Sequence, residues 1–190
     1  MLLERAGPAG LDALDDVTAC ETVAALYPRL HVPAMPQLRS LPTLLAQWAA
    51  DFSGLPRNAP IPHRLVEQAI GLCRDLAADP ADRVLHGNLH YGTVLAAGRE
   101  PWLAVSPAPL NGDPAFELAP MLWHRWDELA DAVRWGVQRR FYALVDATGF
   151  DEDRARAWVI VRVVRSAINE LASGPTDLTR WVTLAKAVQD

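Results

Sequence analysis

The stretch "VLHGNLHYGTVLAAGREPWLAVS", Val84 to Ser106, holds the strand signals and the polar loop on which the reading of this chain turns. Short β-favouring runs at Val84-Leu85, Val94–Ala96 and Trp102–Val105 are candidate strands, and "AAGRE" with Gly98 turns the second into the third. Between the first two strands come His-Gly, a polar residue, Leu-His, then Gly and a small polar residue. That is the outline of a catalytic loop. Such a loop needs a carboxylate, and this chain has Asn88 at the place.

Outward from this stretch the pattern is helical. Apolar residues at Leu14, Val17, Val23, Leu26 and Leu30 predict a helix over about 11–30, which "HVPAMP" stops because proline removes a donor and biases its predecessor out of the helix. Further helices are expected over about 41–52 and 62–78, the latter ended by Asp79-Pro80. Beyond the strands, helices are expected over about 114–123, 127–147, 151–172 and 175–188. "TGFDED" (148–153) separates two of them, with Gly149 as C-cap and Asp151 as N-cap. The run "ARAWVIVRVVRSAINEL" (155–171) is apolar on most sides and reads as a central buried helix. The fold class expected is mainly α with a small β element in the middle.

Composition narrows the function classes. The 190 residues suggest one domain or one large lobe, and 51% hydrophobic content supplies a core. Net charge is −5 with no basic run, which argues against nucleic acid as a partner. No stretch approaches the roughly 20 apolar residues that span a bilayer, and the N-terminus has no apolar signal region. Cys20 and Cys73 show no metal or disulfide spacing, so buried free thiols and a cytoplasmic setting are expected. Seventeen of the 18 basic residues are arginine, Lys186 being the single lysine; with the abundant alanine this hints at a GC-rich bacterial source.

The segment from Leu85 to Trp123, "LHGNLHYGTVLAAGREPWLAVSPAPLNGDPAFELAPMLW", resembles without a gap the active-site segment of the aminoglycoside/hydroxyurea antibiotic resistance kinases, the streptomycin 6-kinase type. "LLERAG" and "RLHVP" resemble other parts of that family more weakly. The resemblance implies the large helical C-lobe of a protein-kinase-like fold, covering 1–190. Residues 1–10 would be a remnant of the hinge between lobes, 84–106 the catalytic and metal loops, and 107–190 a helical substrate-side subdomain. It also implies ATP and Mg²⁺ as cofactors and an aminoglycoside-like small molecule as substrate.

The departures from the family pattern lie at the chemical positions. By that resemblance Asn88 stands where the catalytic Asp would be, Thr93 and Ser106 stand where an Asn and an Asp would hold Mg²⁺, and Ala108 replaces a usual lysine. Asn is no base at neutral pH, and serine is a poor ligand for a hard cation. The family's glycine-rich phosphate loop and its lysine are expected to be missing as well, since no GxxxxGK or GxGxxG occurs. Scaffold positions His86, Gly87, Leu89, His90, Gly92, Trp102 and Asp113 are kept. This pattern leads to the expectation of a truncated, inactive phosphotransferase homologue that uses no cofactor. Two alternatives stand beside it: an active kinase lobe that needs a separate small lobe, and a non-catalytic binding or scaffold module.

Other candidates have plainer readings. His86 and His90 are spaced like a metal pair but lie in a loop, so structural hydrogen bonding is the default. Asp113 reads as the N-cap of a helix beginning at Pro114, or as a ligand. Glu117, Asp127, Glu128 and Asp131 are substrate-side candidates, or packed and solvated carboxylates. Arg162 and Arg165, one turn apart on the apolar helix, would pair with internal carboxylates or mark a polar groove. By the family resemblance, Ala172 and Ser173 stand where acidic residues near the substrate are expected. An exposed apolar top face with Leu2, Leu3, Val94, Leu95 and Val105 is expected to receive a small-lobe partner or a second copy.

Overall fold

The computed structural model describes residues 5–129, 132–174 and 178–189. A single turn at Leu11–Ala13 precedes helix α1, Asp16–Leu30. The expected helix over 11–30 is therefore split. Asp15 restarts it as an N-cap, its carboxylate accepting from the Val17 and Thr18 N–H groups at 3.1 Å. Helices α2 (Leu41–Ser53) and α3 (His63–Ala77) pack against each other, and α3 also packs on α6 (Glu152–Ser173). Helix α4 (Ala119–Trp123), helix α5 (Val133–Thr148) and helix α7 (Thr179–Gln189) complete the bundle. The expected start of the last helix at Pro175 lies outside the described residues.

Helix α6 is the centre of the core. Trp158, Val159, Val161, Val163, Val164 and Ala167 are all buried, and the helix touches α3, α4 and α7. Gly149 closes α5 in the left-handed conformation (φ 67°), and the Asp151 carboxylate accepts from the Arg154 N–H at 2.8 Å, as "TGFDED" predicts.

Four strands form two antiparallel pairs. Strand β1 (Arg83–Leu85) pairs with β4 (Leu110–Gly112), and β2 (Val94–Ala96) pairs with β3 (Trp102–Ala104). The mainly α class with a small β element is what the structure has. Strand β4 is not apparent in the sequence, because Pro107, Pro109 and Gly112 read as loop. It exists because Asn111 is clamped from outside the sheet: it accepts from the Met35 N–H (3.0 Å) and donates to the Met35 carbonyl (2.7 Å). Gly112 then lies against Leu41, where a Cβ would come within 2.2 Å of the leucine side chain.

Two further expectations are corrected. The helix expected over 127–147 is broken: a turn at Trp126–Leu129 precedes α5, which starts at Val133. Arg125 sits at φ 56°, and buried Arg140 reaches back to the His124 carbonyl at 2.7 Å, so this segment is folded onto α5 instead of continuing it. The exposed apolar top face is not found among the described residues. Val94 is fully buried, and Leu95 and Val105 are half-buried. Residues 7–10 lie along β2, with Gly7 N–H donating to Ala96 O (2.6 Å), Ala96 N–H to Ala9 O (2.8 Å) and Gly10 bridging Leu95. Leu2 and Leu3 lie outside the described residues.

Candidate functional site

The loop between β1 and β2 begins at His86 and ends in a tight turn, Tyr91–Thr93. Its shape follows from a few residues. Gly87 takes φ 77° with its backbone so close to Ala108 that a Cβ would lie 2.1 Å from the Ala108 carbonyl oxygen. His86 is buried; its carbonyl accepts from Ala108 N–H (2.8 Å) and its Nδ1 from Asn88 N–H (3.3 Å). Burial lowers the proton affinity of His86 and of His90. His90 caps the turn through Nδ1, which accepts from Gly92 N–H at 3.1 Å, and its ring stacks on His124 at 3.7 Å and 6°. The two loop histidines thus hold backbone and a neighbouring ring. Among the described residues no group of three or more His, Cys, Asp or Glu side chains is placed to hold a metal.

Asn88, Thr93 and Ser106 are brought together. Asn88 Nδ2 donates to the Ser106 carbonyl at 3.3 Å. Thr93 is buried, and its hydroxyl is turned inward: it donates to the Asn88 carbonyl (2.8 Å), has the His90 carbonyl at 3.1 Å, and accepts from the His90 N–H (2.9 Å). Ser106 is exposed at φ 56°, a left-handed conformation that a non-glycine residue holds only when its surroundings impose it. They do so here: Val105 N–H donates to Thr93 O and Ala108 N–H to His86 O, both at 2.8 Å, on either side of it. A magnesium ion demands a near-octahedral shell of hard oxygens with at least one carboxylate. This trio offers an amide, a buried hydroxyl already engaged with backbone, and one exposed hydroxyl. The donor set does not fit Mg²⁺.

Under the loop the charges remain. Glu117, named above as a substrate-side candidate, is fully buried in the turn Pro114–Leu118 and accepts from the Gly87 N–H at 2.9 Å. Burial pushes its carboxyl pKa up, opposed by the Gly87 N–H and by Arg162. Arg162 lies over the Phe116 ring at 4.0 Å, donates to the Phe116 carbonyl at 2.9 Å, and is pushed down to about 10 by burial, with Glu117 opposing. Asp113 caps the same turn, accepting from Ala115 N–H at 3.0 Å, and its other oxygen takes the Arg154 Nε–H (2.6 Å) and the Trp158 indole N–H. Arg154, Trp158 and Arg162 were not singled out together from the sequence. Their spacing of four along an otherwise apolar helix is the signal that would have found them.

Asp127 is exposed; Glu128 is held by Arg125 through two bonds of 2.7 and 2.5 Å; Asp131 lies outside the described residues. Arg165 pairs with Asp51 at 2.8 Å, and the Ser173 hydroxyl donates back to Asn169 O within α6.

Comparison with known proteins agrees with the loop. The family model for aminoglycoside/hydroxyurea antibiotic resistance kinases matches residues 1–174. A streptomycin 6-kinase of Streptomyces glaucescens is 40% identical over all of this chain and 64% of its own length. A hydroxyurea phosphotransferase of Kitasatospora aureofaciens is 40% identical over 99% of this chain and 56% of its own. The chain thus spans less than two thirds of the length of these relatives. A solved macrolide 2'-phosphotransferase type I covers the whole chain at 16% identity with a TM-score of 0.45, a likeness too loose to bear on function. On the extent of the family match and the identity to these relatives, the chain belongs to the aminoglycoside/hydroxyurea antibiotic resistance kinase family.

Proposed function

We propose that this chain is the helical large lobe of a family member that does not transfer phosphate. One observation carries the reading: Asn88, Thr93 and Ser106 meet in the loop as neutral groups, the Asn88 and Thr93 side chains bonded to backbone and the Ser106 carbonyl accepting from Asn88, with no carboxylate among them. Phosphoryl transfer depends on positioning and on neutralising phosphate charge through metal ions. A loop without a base and without a magnesium ligand set supports neither. In this reading residues 1–10 are the hinge remnant, 84–106 the loop that would carry chemistry, and 107–190 the substrate-side subdomain. The relatives' names supply the acceptors to try, streptomycin and hydroxyurea.

The test is a phosphotransfer assay with Mg·ATP and each acceptor, run on this chain and on a hybrid in which the preceding segment of the Streptomyces glaucescens relative is joined to it. No product above the uncatalysed background is expected from either. The hybrid separates a disabled loop from a lobe that lacks its counterpart. Product that forms in the hybrid and is abolished by Asn88→Ala would overturn the proposal.

A further inference from the structure

Helix α5 turns Val137, Phe141, Leu144 and Val145 inward, where they are buried. Its outer face is not an ordinary solvated one. Trp135 is 61% exposed, the highest value of any large hydrophobic side chain among the described residues, and Tyr142 is 38% exposed. With exposed Arg139 and Asp146 they form one stripe along the helix, at i, i+4, i+7 and i+11. Exposed Trp, Tyr and Arg on one face is the composition of interface anchors. The anchors are held in place. The Arg139 guanidinium lies over the Trp135 ring at 4.6 Å and donates to Asp16 at 2.9 Å, and Arg156 donates to the Tyr142 hydroxyl at 3.0 Å. Among the described residues, neither the Trp135 indole N–H nor the Asp146 carboxylate has a hydrogen-bond partner.

We propose that this stripe binds the same stripe of a second copy of the chain, the two α5 helices packing antiparallel about a two-fold axis. An isologous contact requires that residue i meet j and that j meet i. The stripe meets that requirement when the axis passes between residues 140 and 141. Trp135 then faces Asp146 of the second copy and Arg139 faces its Tyr142, and each pair occurs twice. The indole N–H gains a carboxylate and the Tyr142 ring gains a cation. The same register sets half-buried Gln138 against half-buried Ala143, whose small side chain lets the helices approach. A parallel pairing would instead set Arg139 against Arg139 and Asp146 against Asp146, like charge on like charge. Because Asp16 and Arg156 already fix Arg139 and Tyr142, these side chains lose little freedom on association. The surface is independent of phosphotransfer: none of its residues belongs to the loop.

Sedimentation velocity over a concentration series of the whole chain tests this. A reversible dimer with a dissociation constant of about 10–100 µM is expected, the weak end for a contact made by one helix face. Trp135→Ala should weaken it about 30-fold, the loss of one aromatic anchor. Cysteine cross-linking reads the register separately. Gln138→Cys mixed with Ala143→Cys should give a disulfide-linked dimer under mild oxidation, and neither variant alone should. Native Cys20 and Cys73 are buried and stay out of the reaction. A chain that stays monomeric throughout the series would overturn the proposal. So would a dimer that Trp135→Ala leaves unchanged, or cross-linking as strong in one variant alone as in the mixture. The cross-link keeps the test decisive if Trp135→Ala fails to fold.

Discussion

Two sets of polar residues meet at the loop that starts at His86, and they differ in charge. Asn88, Thr93 and Ser106 are neutral, and the Asn88 and Thr93 side chains bond to nearby backbone carbonyls, that of Ser106 among them. Asp113, Glu117, Arg154 and Arg162, packed beneath, are ionisable and bond across the fold, from the turn at 114–118 to α6. Substitution at Asn88 or Ser106 in the first set leaves little buried and unpaired, since Ser106 is exposed and Asn88 half-buried. Removing a carboxylate from the second strands buried donors. The fold therefore holds the buried charges in place and accommodates neutral residues at positions 88, 93 and 106. The comparison breaks if substitutions in the two sets prove equally costly.

Glu117→Ala is expected to be the most damaging change. It leaves the Gly87 N–H without an acceptor and Arg162 without its neighbouring carboxylate, a loss of about 3–5 kcal/mol in urea unfolding. Asp113→Ala comes next, at about 2–3 kcal/mol, because a cap is lost together with the acceptor for Arg154 and Trp158. In the first set, Thr93→Val should cost about 1–2 kcal/mol, since its hydroxyl ties Asn88 to His90. Ser106→Gly should go the other way and stabilise by up to about 1 kcal/mol, by relieving the left-handed conformation at φ 56°. If Ser106→Gly destabilised the chain, the strain assigned to that position would be wrong.

A further effect is in pH. Burial pushes His124 and His31 down to about 4 from an ordinary value of 6.5, and His90, Arg180 and Arg140 add to the shift at His124. Between these values the unfolded chain binds more protons than the folded one. The stabilisation is thus fully present above pH 6.5 and is lost as the pH falls toward 4. The urea midpoint should fall between pH 7 and pH 5, and His124→Gln should flatten that slope. A midpoint that does not change with pH over this range would contradict the assignment.

How much was legible in the sequence depended on how local the cause is. The loop's turn, the Asp113 cap and the break at Gly149 rest on neighbouring residues, and the sequence shows them. Strand β4 rests on Asn111 bonding to Met35, 76 residues away, amid prolines that mask the strand. The partners of Asp113 are 41 and 45 residues distant in α6, so the cap was visible and the network was not. The contact of residues 7–10 with β2 was not visible in the sequence, because they show no strand pattern and meet β2 through two backbone bonds and one isolated bridge. For Glu117 the sequence left a substrate-side, a packed and a solvated reading open, because spacing does not reveal which side of a turn faces the loop.

The central claim is that the loop's scaffold is intact and that its chemistry is absent at three positions. It is tested most directly by Asn88→Asp, Thr93→Asn and Ser106→Asp made together in the hybrid described above, with the same two acceptors and Mg·ATP. A supporting layer left in place should let the restored loop work, and product formation should rise at least about 10²-fold over the unrestored hybrid. A folded triple variant that makes no product would contradict the account, as would an unrestored hybrid that already turns over at the restored rate.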